Sequence, residues 1–239
     1  MNGLKRTVVS GLMLAATIMG SLSTAEATSF DFSGAFANLG VSHTYTVGAD
    51  SVTAAAFTYS EPGGVATYTA ALALIQRNQA PNDLGLGVCN SGDGAGCTTI
   101  TSGNGDNNEI DNNGSLRDLI RLDLGSSRTG LSVTLASVDG TSGNIDNYAI
   151  YASNSATVKL STLTALTGSQ STGGINPTVN ITGSWRYIFV TTGSGVNGDD
   201  DFLLKSATVS STVPEPASLL LMGSGLVGVA VWRLRRKSN

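Results

Sequence analysis

The feature that most constrains the fold is an alternation of apolar and polar residues with a period of two. It recurs at residues 41–47, 120–124 and 131–135, and these segments are separated by clusters of Gly, Asn, Asp and Ser. Successive side chains of a strand point to opposite faces, so this pattern predicts short strands with one buried face. No long stretch of the middle shows the spacing of an amphipathic helix. The sequence therefore predicts an all-β fold, an antiparallel β-sandwich or jelly roll.

Other segments extend the same pattern. Phe30 and Phe32 begin one strand, and residues 203–209 close the domain. Residues 185–190 carry apolar side chains at both odd and even positions, which indicates a strand buried on both faces. Residues 70–77 fit either a short helix or a strand, and the Val, Thr and Tyr residues before them favour a strand.

The composition suits many turns and a hydroxyl-rich surface. Charged residues make up 13% of the chain, about half the usual quarter, whereas Gly contributes 30 residues. The formal net charge is −4, and the basic residues at the two ends leave the middle more acidic than that figure. An acidic surface repels phosphate, which argues against nucleic acid as a partner. Cations and neutral ligands rich in hydroxyl groups are better matched.

The N-terminus has the three parts of a secretory signal peptide. A basic start precedes an apolar run over residues 8–20, and Ala25 and Ala27 are the small residues of an Ala-x-Ala cleavage site. A permanent anchor is the alternative, but the apolar run is short for crossing a bilayer. We expect the mature chain to begin near Thr28.

The C-terminus also has three consecutive parts. Pro214, Glu215 and Pro216 form an extended segment that cannot join a helix. Residues 217–232 are apolar and, as a helix, would cover about 24 Å of a hydrocarbon core of about 30 Å. A basic cluster follows, which the positive-inside rule places in the cytoplasm. The cluster comprises Arg233, Arg235, Arg236 and Lys237.

This tail closely resembles the PEP-CTERM sorting signal of Gram-negative bacteria, the tag recognised by exosortase. The resemblance implies cleavage at or near Pro214-Glu215-Pro216 by an integral-membrane cysteine protease. It also implies an organism that makes exopolysaccharide and builds biofilm. An ordinary membrane anchor with an incidental Pro-Glu-Pro is the alternative.

Together the two ends predict the domain organisation and the route of the protein. We expect a signal peptide at residues 1–27, a β-sandwich domain at 28–212 and a sorting tail at 213–239. The partners on this route are the Sec export machinery, exosortase and, through the tail before cleavage, the inner membrane. The expected destination is the cell surface or the extracellular matrix.

Residues 82–114 form a long segment rich in Gly, Asn and Asp, and it contains the only two cysteines, Cys89 and Cys97. Two cysteines in an exported chain usually pair, because the periplasm is oxidising. We therefore expect a Cys89–Cys97 disulfide that shapes this loop. Free thiols or a metal site are the alternative, although neither a second cysteine pair nor a nearby histidine is present.

Two acidic clusters contain the kind of oxygen ligands that calcium binds. One lies in the long loop and the other directly precedes the last strand. Calcium is the one cofactor that the sequence suggests, and an ion joining the two clusters would relieve the repulsion among their carboxylates. Solvated acidic turns are the alternative. The candidate ligands are Asp106, Glu109, Asp111, Asn113, Asp199, Asp200 and Asp201.

The arrangement GLGV, NEIDN-x-G and L-x-L over residues 85–124 also resembles a β-sandwich common among proteins with this tail. That resemblance implies the same fold as the alternation of residues.

Motifs of catalysis are missing from the sequence. A Ser-His-Asp triad would depend on His43, the only histidine, which we expect to be a partly buried strand residue. The chain has no Gly-x-Ser-x-Gly elbow, phosphate loop or zinc pattern. We expect a protein that is not an enzyme.

Three functions fit these observations. The leading hypothesis is a surface or matrix protein whose sandwich binds polysaccharide or a neighbouring protein. A secreted hydrolase acting on exopolysaccharide would show a pair of facing carboxylates about 5–9.5 Å apart. A glycosylated structural spacer would show neither that pair nor an exposed aromatic strip.

Overall fold

The computed structural model describes residues 27–79, 83–93, 97, 108–112, 117–138, 140–141, 144–169, 176–193, 200–210, 224–225 and 233. Several residues singled out above lie outside this part of the chain. They are Ala25, Asp106, Asn113, Asp199, Pro214, Glu215, Pro216, Arg235, Arg236 and Lys237.

The chain divides into two units. One is Ala27–Ser211, and the other combines Met1–Glu26 with Thr212–Asn239. Within the second unit, residues 224–225 and 233 are helical. Among the described residues, no helix has both the length and the apolar character needed to cross a membrane.

The first unit consists of two antiparallel sheets, which confirms the predicted all-β sandwich. The eight strands of the first sheet are β1 (Ala27–Asp31), β2 (Ala37–Asn38), β6 (Ala73–Gln79), β7 (Asp83–Cys89), β8 (Ile110–Asp111), β10 (Leu131–Ala136), β15 (Thr178–Ile181) and β17 (Asp201–Ser210). The seven strands of the second sheet are β3 (Ser42–Val47), β4 (Asp50–Ser60), β5 (Thr67–Ala70), β9 (Arg117–Arg128), β13 (Asn147–Ser153), β14 (Leu166–Ser169) and β16 (Trp185–Thr192). A small separate hairpin joins β11 (Gly140–Thr141) to β12 (Asn144–Ile145), and short 3-10 turns occupy Pro62–Gly64 and Leu160–Thr162.

Each sheet is organised around one strand. In the first sheet β17 pairs with β10, β1, β7 and β8. In the second sheet β9 lies between β4 and β16. The inward side chains of these strands, such as Ile120 and Leu122 of β9 and Leu204 of β17, meet in the main hydrophobic core.

The strands predicted from alternation are present, but residues 41–47 lack the predicted buried face, since Val41 is 48% and Val47 is 45% exposed. Residues 73–79 form a strand rather than a helix, and β16 is buried along most of its length on both faces. His43 was expected to be partly buried, but it is exposed. The reason is that β3 is an edge strand, where the His43 ring packs against the ring of Tyr45 at 4.8 Å between centroids.

A second hydrophobic cluster covers the outer face of the second sheet. It contains Tyr59, Leu119, Tyr187 and Phe189 from the strands, and Leu160 from the segment after β13. The covering segment therefore buries a face that would otherwise meet water.

Glu61 holds this covering segment to the end of β4. Its carboxylate accepts hydrogen bonds from the Ser161 backbone N–H at 2.9 Å and the Ser161 hydroxyl at 2.6 Å, and it also accepts one from the Tyr59 hydroxyl. Burial alone would raise the pKa of Glu61, but these hydrogen bonds outweigh it, so the pKa is lowered.

A buried ion pair fixes the residues before β8 against the first sheet. Arg77 donates to the Glu109 carboxylate and to the Asn108 side-chain oxygen, both at 2.8 Å. Arg77 and Glu109 are each 3% exposed. The chain passes so close to β7 here that a Cβ at Gly87 would lie 1.8 Å from the Asn108 backbone oxygen. Glu109 therefore contacts Arg77 and serves the packing of the loop.

We expect Glu109→Gln to lower the free energy of unfolding by about 3–5 kcal/mol, because it removes a charged partner of the buried Arg77 guanidinium. Urea denaturation followed by circular dichroism measures this. The matched control is Asp123→Asn, which breaks the half-exposed pair of Asp123 with Arg186 and should cost much less. Equal losses in the two variants would contradict the argument from burial.

We also expect the stabilising effect of Glu61 to depend on pH. A lowered folded-state pKa means that the carboxylate stabilises the fold above the unfolded-state pKa, and that this contribution is lost as the pH falls through the folded-state value. The difference in urea midpoint between wild type and Glu61→Gln should be largest at neutral pH and should close under acidic conditions. A difference that stays constant with pH would show that the charge of Glu61 is unimportant.

Candidate functional site at the acidic end of the sandwich

Several strands begin or end at one end of the sandwich, and their acidic residues meet there. Asp111 of β8 is the register partner of Asp201 at the start of β17. The Asn90 side chain, just after β7, donates to Asp118 of β9 at 2.9 Å and so connects the two sheets. We call this region the acidic end. Its described carboxylates belong to Asp93, Asp111, Asp118, Asp146, Asp200 and Asp201.

Three of these carboxylates form a tight group. One oxygen each from Asp93, Asp111 and Asp118 lies within 4.8 Å of the others. Asp118 is 1% exposed, and Asp93 and Asp111 are half-buried. We call these three residues the aspartate cluster.

The electrostatics of the aspartate cluster disfavour three negative charges. Burial, followed by the Asp93 charge, raises the pKa of Asp111 to about 7. Burial, followed by the Asp111 charge, also raises the pKa of Asp118 well above its ordinary value. For Asp93 burial again raises the pKa, in spite of hydrogen bonds from Asn90.

Hydrogen bonds orient the aspartate cluster without satisfying all of its oxygens. The Asn90 backbone N–H donates to Asp93 Oδ2 at 2.6 Å, and its side chain donates to Asp118 Oδ1. Among the described residues, Asp93 Oδ1, Asp111 Oδ1 and Asp118 Oδ2 are buried and have no hydrogen-bond partner. One oxygen of each carboxyl group is therefore available to a ligand or, for Asp111 and Asp118, to a proton that the two groups share.

The predicted Cys89–Cys97 disulfide is present and encloses Asp93 in its loop. The two Cα atoms are 5.5 Å apart. Both cysteines are buried with Ala73, Ile75 and Phe36 against the first sheet. Although their sulfur atoms lie close to Asp93, they are bonded to each other, so they are not thiolate ligands for a metal.

The second predicted acidic segment connects the sheets in a different way. Asp200 is 1% exposed and its Oδ1 accepts from the backbone N–H of Asn147 at 3.0 Å and from its side chain at 3.1 Å. The Asp201 N–H donates to Asp146 Oδ1 at 3.3 Å. These bonds tie the start of β17 to the start of β13.

The structure thus brings together part of the predicted ligand set. Asp111 and Asp201 are adjacent in register, as expected for two segments that meet. Glu109 is engaged by Arg77. Among the described residues, the close group takes in Asp111 and leaves out Glu109, Asp200 and Asp201.

Two members of the aspartate cluster, Asp93 and Asp118, were missed in the sequence. A signal for Asp118 was available, because it has the same parity along β9 as the core residues Ile120 and Leu122. A carboxylate at a core-facing position needs a partner. No local spacing pointed to Asp93, whose place depends on the disulfide loop.

A second polar surface lies on the outer face of the second sheet. The Arg121 guanidinium stacks 4.7 Å from the Phe57 ring centroid and 5.8 Å from that of Tyr187. Arg186 lies 4.9 Å from the same Tyr187 ring and donates twice to Asp123, at 3.0 and 3.1 Å. We call these five residues the arginine–aromatic patch. The most exposed large apolar side chains among the described residues are instead aliphatic: Val41, Val47, Val65 and Leu72.

The tail matches a known family model. Residues 212–237 match the PEP-CTERM protein-sorting motif, which confirms the resemblance seen in the sequence. The chain therefore carries an exosortase sorting signal at its C-terminal end, as an exported protein of this kind does.

The body has weaker counterparts. No curated protein matches the chain in sequence. One similar solved structure is the CBM32 of AlyQ in complex with 4,5-unsaturated mannuronic acid, with 18% identity, 44% of this chain and 77% of that chain covered, and a TM-score of 0.29. Another is the family 32 CBM from C. perfringens NanJ in complex with galactose. It is 22% identical, the match covers 39% of this chain and 66% of that chain, and the TM-score is 0.26. Both TM-scores are low, and neither likeness bears on function.

We expect Asp118→Asn to raise the melting temperature in the presence of chelator, because it removes a carboxyl that burial and the Asp111 charge destabilise in the folded state and keeps the acceptor for Asn90. The control is Asp31→Asn on β1, far from the acidic end in the sequence and exposed. Thermal melts followed by circular dichroism compare the two variants with wild type. A lower melting temperature for Asp118→Asn than for wild type would contradict this view of the cluster.

Proposed function

We propose that the chain is an exported protein of the cell surface or extracellular matrix of a Gram-negative bacterium, processed by exosortase. In this proposal its β-sandwich binds matrix polysaccharide and is not an enzyme. The observation that carries the proposal is the position of the sorting motif. It begins at residue 212, directly after β17 ends at Ser210, so the sandwich itself is the cargo.

The boundaries of the sandwich fit processing at both ends. β1 begins at Ala27, at the proposed signal cleavage site, and Ala27 is the register partner of Ser210. Removal of the preceding and following segments would take Ala27 from the end of β1 and leave the other main strands of both sheets complete. The proposed route is export by the Sec machinery, transient retention in the inner membrane by the tail, and cleavage at or near Pro214-Glu215-Pro216.

The arginine–aromatic patch supports a polysaccharide ligand. The exposed donors and acceptors of the patch can bind the hydroxyl groups of a sugar, whereas the Tyr187 ring is 8% exposed and supports the Arg186 guanidinium that lies over it. Arg186 and Asp123 hold each other in place, and their side chains are 41% and 29% exposed. The low content of charge suits a neutral, hydroxyl-rich ligand.

The arrangement of the aspartate cluster supports a role without catalysis. Asp118 is 1% exposed, so it is buried too deeply to contact a polymer.

The sorting part of the proposal is tested by mass spectrometry of the protein from wild-type cells and from cells without exosortase. The wild-type protein should be found in the matrix without any peptide from residues 219–236. The mutant cells should keep the protein in the membrane fraction with the tail attached. A tail that remains on most wild-type matrix protein would contradict processing.

Polysaccharide binding is tested by co-sedimentation of the protein with exopolysaccharide from the same cells. We expect Arg186→Ala to weaken binding several-fold, because the variant loses both the stacked guanidinium and its hold on Asp123. Lys159→Ala is the matched control, since Lys159 is also cationic and is 37% exposed but lies outside the patch. Equal binding by wild type and Arg186→Ala would show that the arginine–aromatic patch is not the binding site. An absence of binding by wild type would contradict polysaccharide as the ligand.

A further inference from the structure

We propose that Asp93, Asp111 and Asp118 form a calcium site at the acidic end of the sandwich. The site differs from the one expected from the sequence, because only Asp111 is common to both. It does not depend on the proposed function of the protein.

The spacing of the oxygens fits one ion. Calcium binds oxygen at about 2.3–2.6 Å, so two ligands on opposite sides of it are about 4.6–5.2 Å apart. The three carboxylates each place an oxygen within 4.8 Å of the others. A single ion between them would therefore reach all three without rearrangement of the strands.

The orientation of Asp118 points to a ligand independently of the spacing. Asp118 is 1% exposed, and its Oδ1 accepts a hydrogen bond from the Asn90 side chain. Its Oδ2 receives no hydrogen bond from an N–H or hydroxyl group of the described residues. A buried carboxylate oxygen without a donor is costly, and a bound cation would offset that cost. Asp93 Oδ1 and Asp111 Oδ1 are in the same condition.

The donor set selects a hard cation. Every available ligand atom of the aspartate cluster is a carboxylate oxygen, and the nearby cysteines are joined in a disulfide. Soft metals prefer thiolate or imidazole ligands. Magnesium usually takes one or two carboxylates and keeps its water molecules, whereas calcium accepts three carboxylates within a shell of six to eight oxygens.

Such an ion would connect three separate parts of the chain. Asp93 belongs to the disulfide loop after β7, Asp111 to β8 and Asp118 to β9. β8 lies in the first sheet and β9 in the second. Bound calcium would therefore join the two sheets at this end and neutralise the repulsion among the carboxylates.

The test uses the full chain in mild detergent, with isothermal titration calorimetry and thermal melts in calcium, in magnesium and in chelator. Wild type should bind one calcium ion per chain and melt at a higher temperature in calcium than in chelator, because the ion binds only the folded form. Magnesium at the same concentration should give a much smaller shift. Asp118→Asn should lose both the binding and the shift, and Asp31→Asn should keep both.

The melt in chelator shows whether Asp118→Asn is folded, and Asp111→Asn serves as a second variant if it is not. Three results would overturn the proposal. Wild type that melts equally in calcium and in chelator would mean that the carboxylates share protons instead of an ion. A calcium shift that survives in the folded cluster variants would place the ion elsewhere, and an equal shift in magnesium would indicate unspecific screening of charge.

Discussion

The hydrogen bonding of β17 is the constraint on which the rest of the sandwich depends. This strand pairs with β1 from the start of the body, with β7 and β8 from its first half and with β10 from its middle. The first sheet therefore cannot be completed until the last residues of the body, up to Ser210, are in place. Most contacts that define the fold join residues far apart in sequence, which is typical of slow-folding β proteins. Because the sorting motif starts at residue 212, folding of the body and recognition of the tail involve neighbouring stretches of chain.

The same convergence of strands creates the electrostatic problem at the acidic end. Strand ends from both sheets bring six described aspartates together, and the burial that stabilises the sandwich penalises their charges. Two of them are matched by backbone donors: Asp200 accepts from Asn147, and Asp146 accepts from the N–H of Asp201. In the aspartate cluster, burial and then the charge of a neighbouring aspartate raise the pKa values of Asp111 and Asp118. Carboxylates thus connect the two sheets at one end of the sandwich, whereas the buried Arg77–Glu109 pair uses opposite charges to hold the residues before β8 against the first sheet.

The alternation of residues was enough to predict the fold class and several strands, including β9, β10 and β17. It did not reveal β4, which is the longest strand after β9. The inward positions of β4 include Ala54 and Ala56, which are small and only weakly apolar. The disulfide could be predicted because two cysteines allow one pairing. The aspartate cluster could be predicted only in part, since Asp93 and Asp118 are 25 positions apart and meet only through the packing of β7 against β9. Parity along β9 marked Asp118 as unusual, but its partners depend on the tertiary structure.

The pairing of β1 with the end of β17 also has a mechanical consequence. A sandwich held by its C-terminal end and pulled through a ligand on its surface would receive the load along β17. That strand is bonded on both sides for much of its ten residues, so the load would act parallel to the strand and be shared by many hydrogen bonds at once. Bonds loaded together in shear resist far more force than bonds opened one after another. The last strand is therefore suited to bear tension between a point of attachment and the material around it.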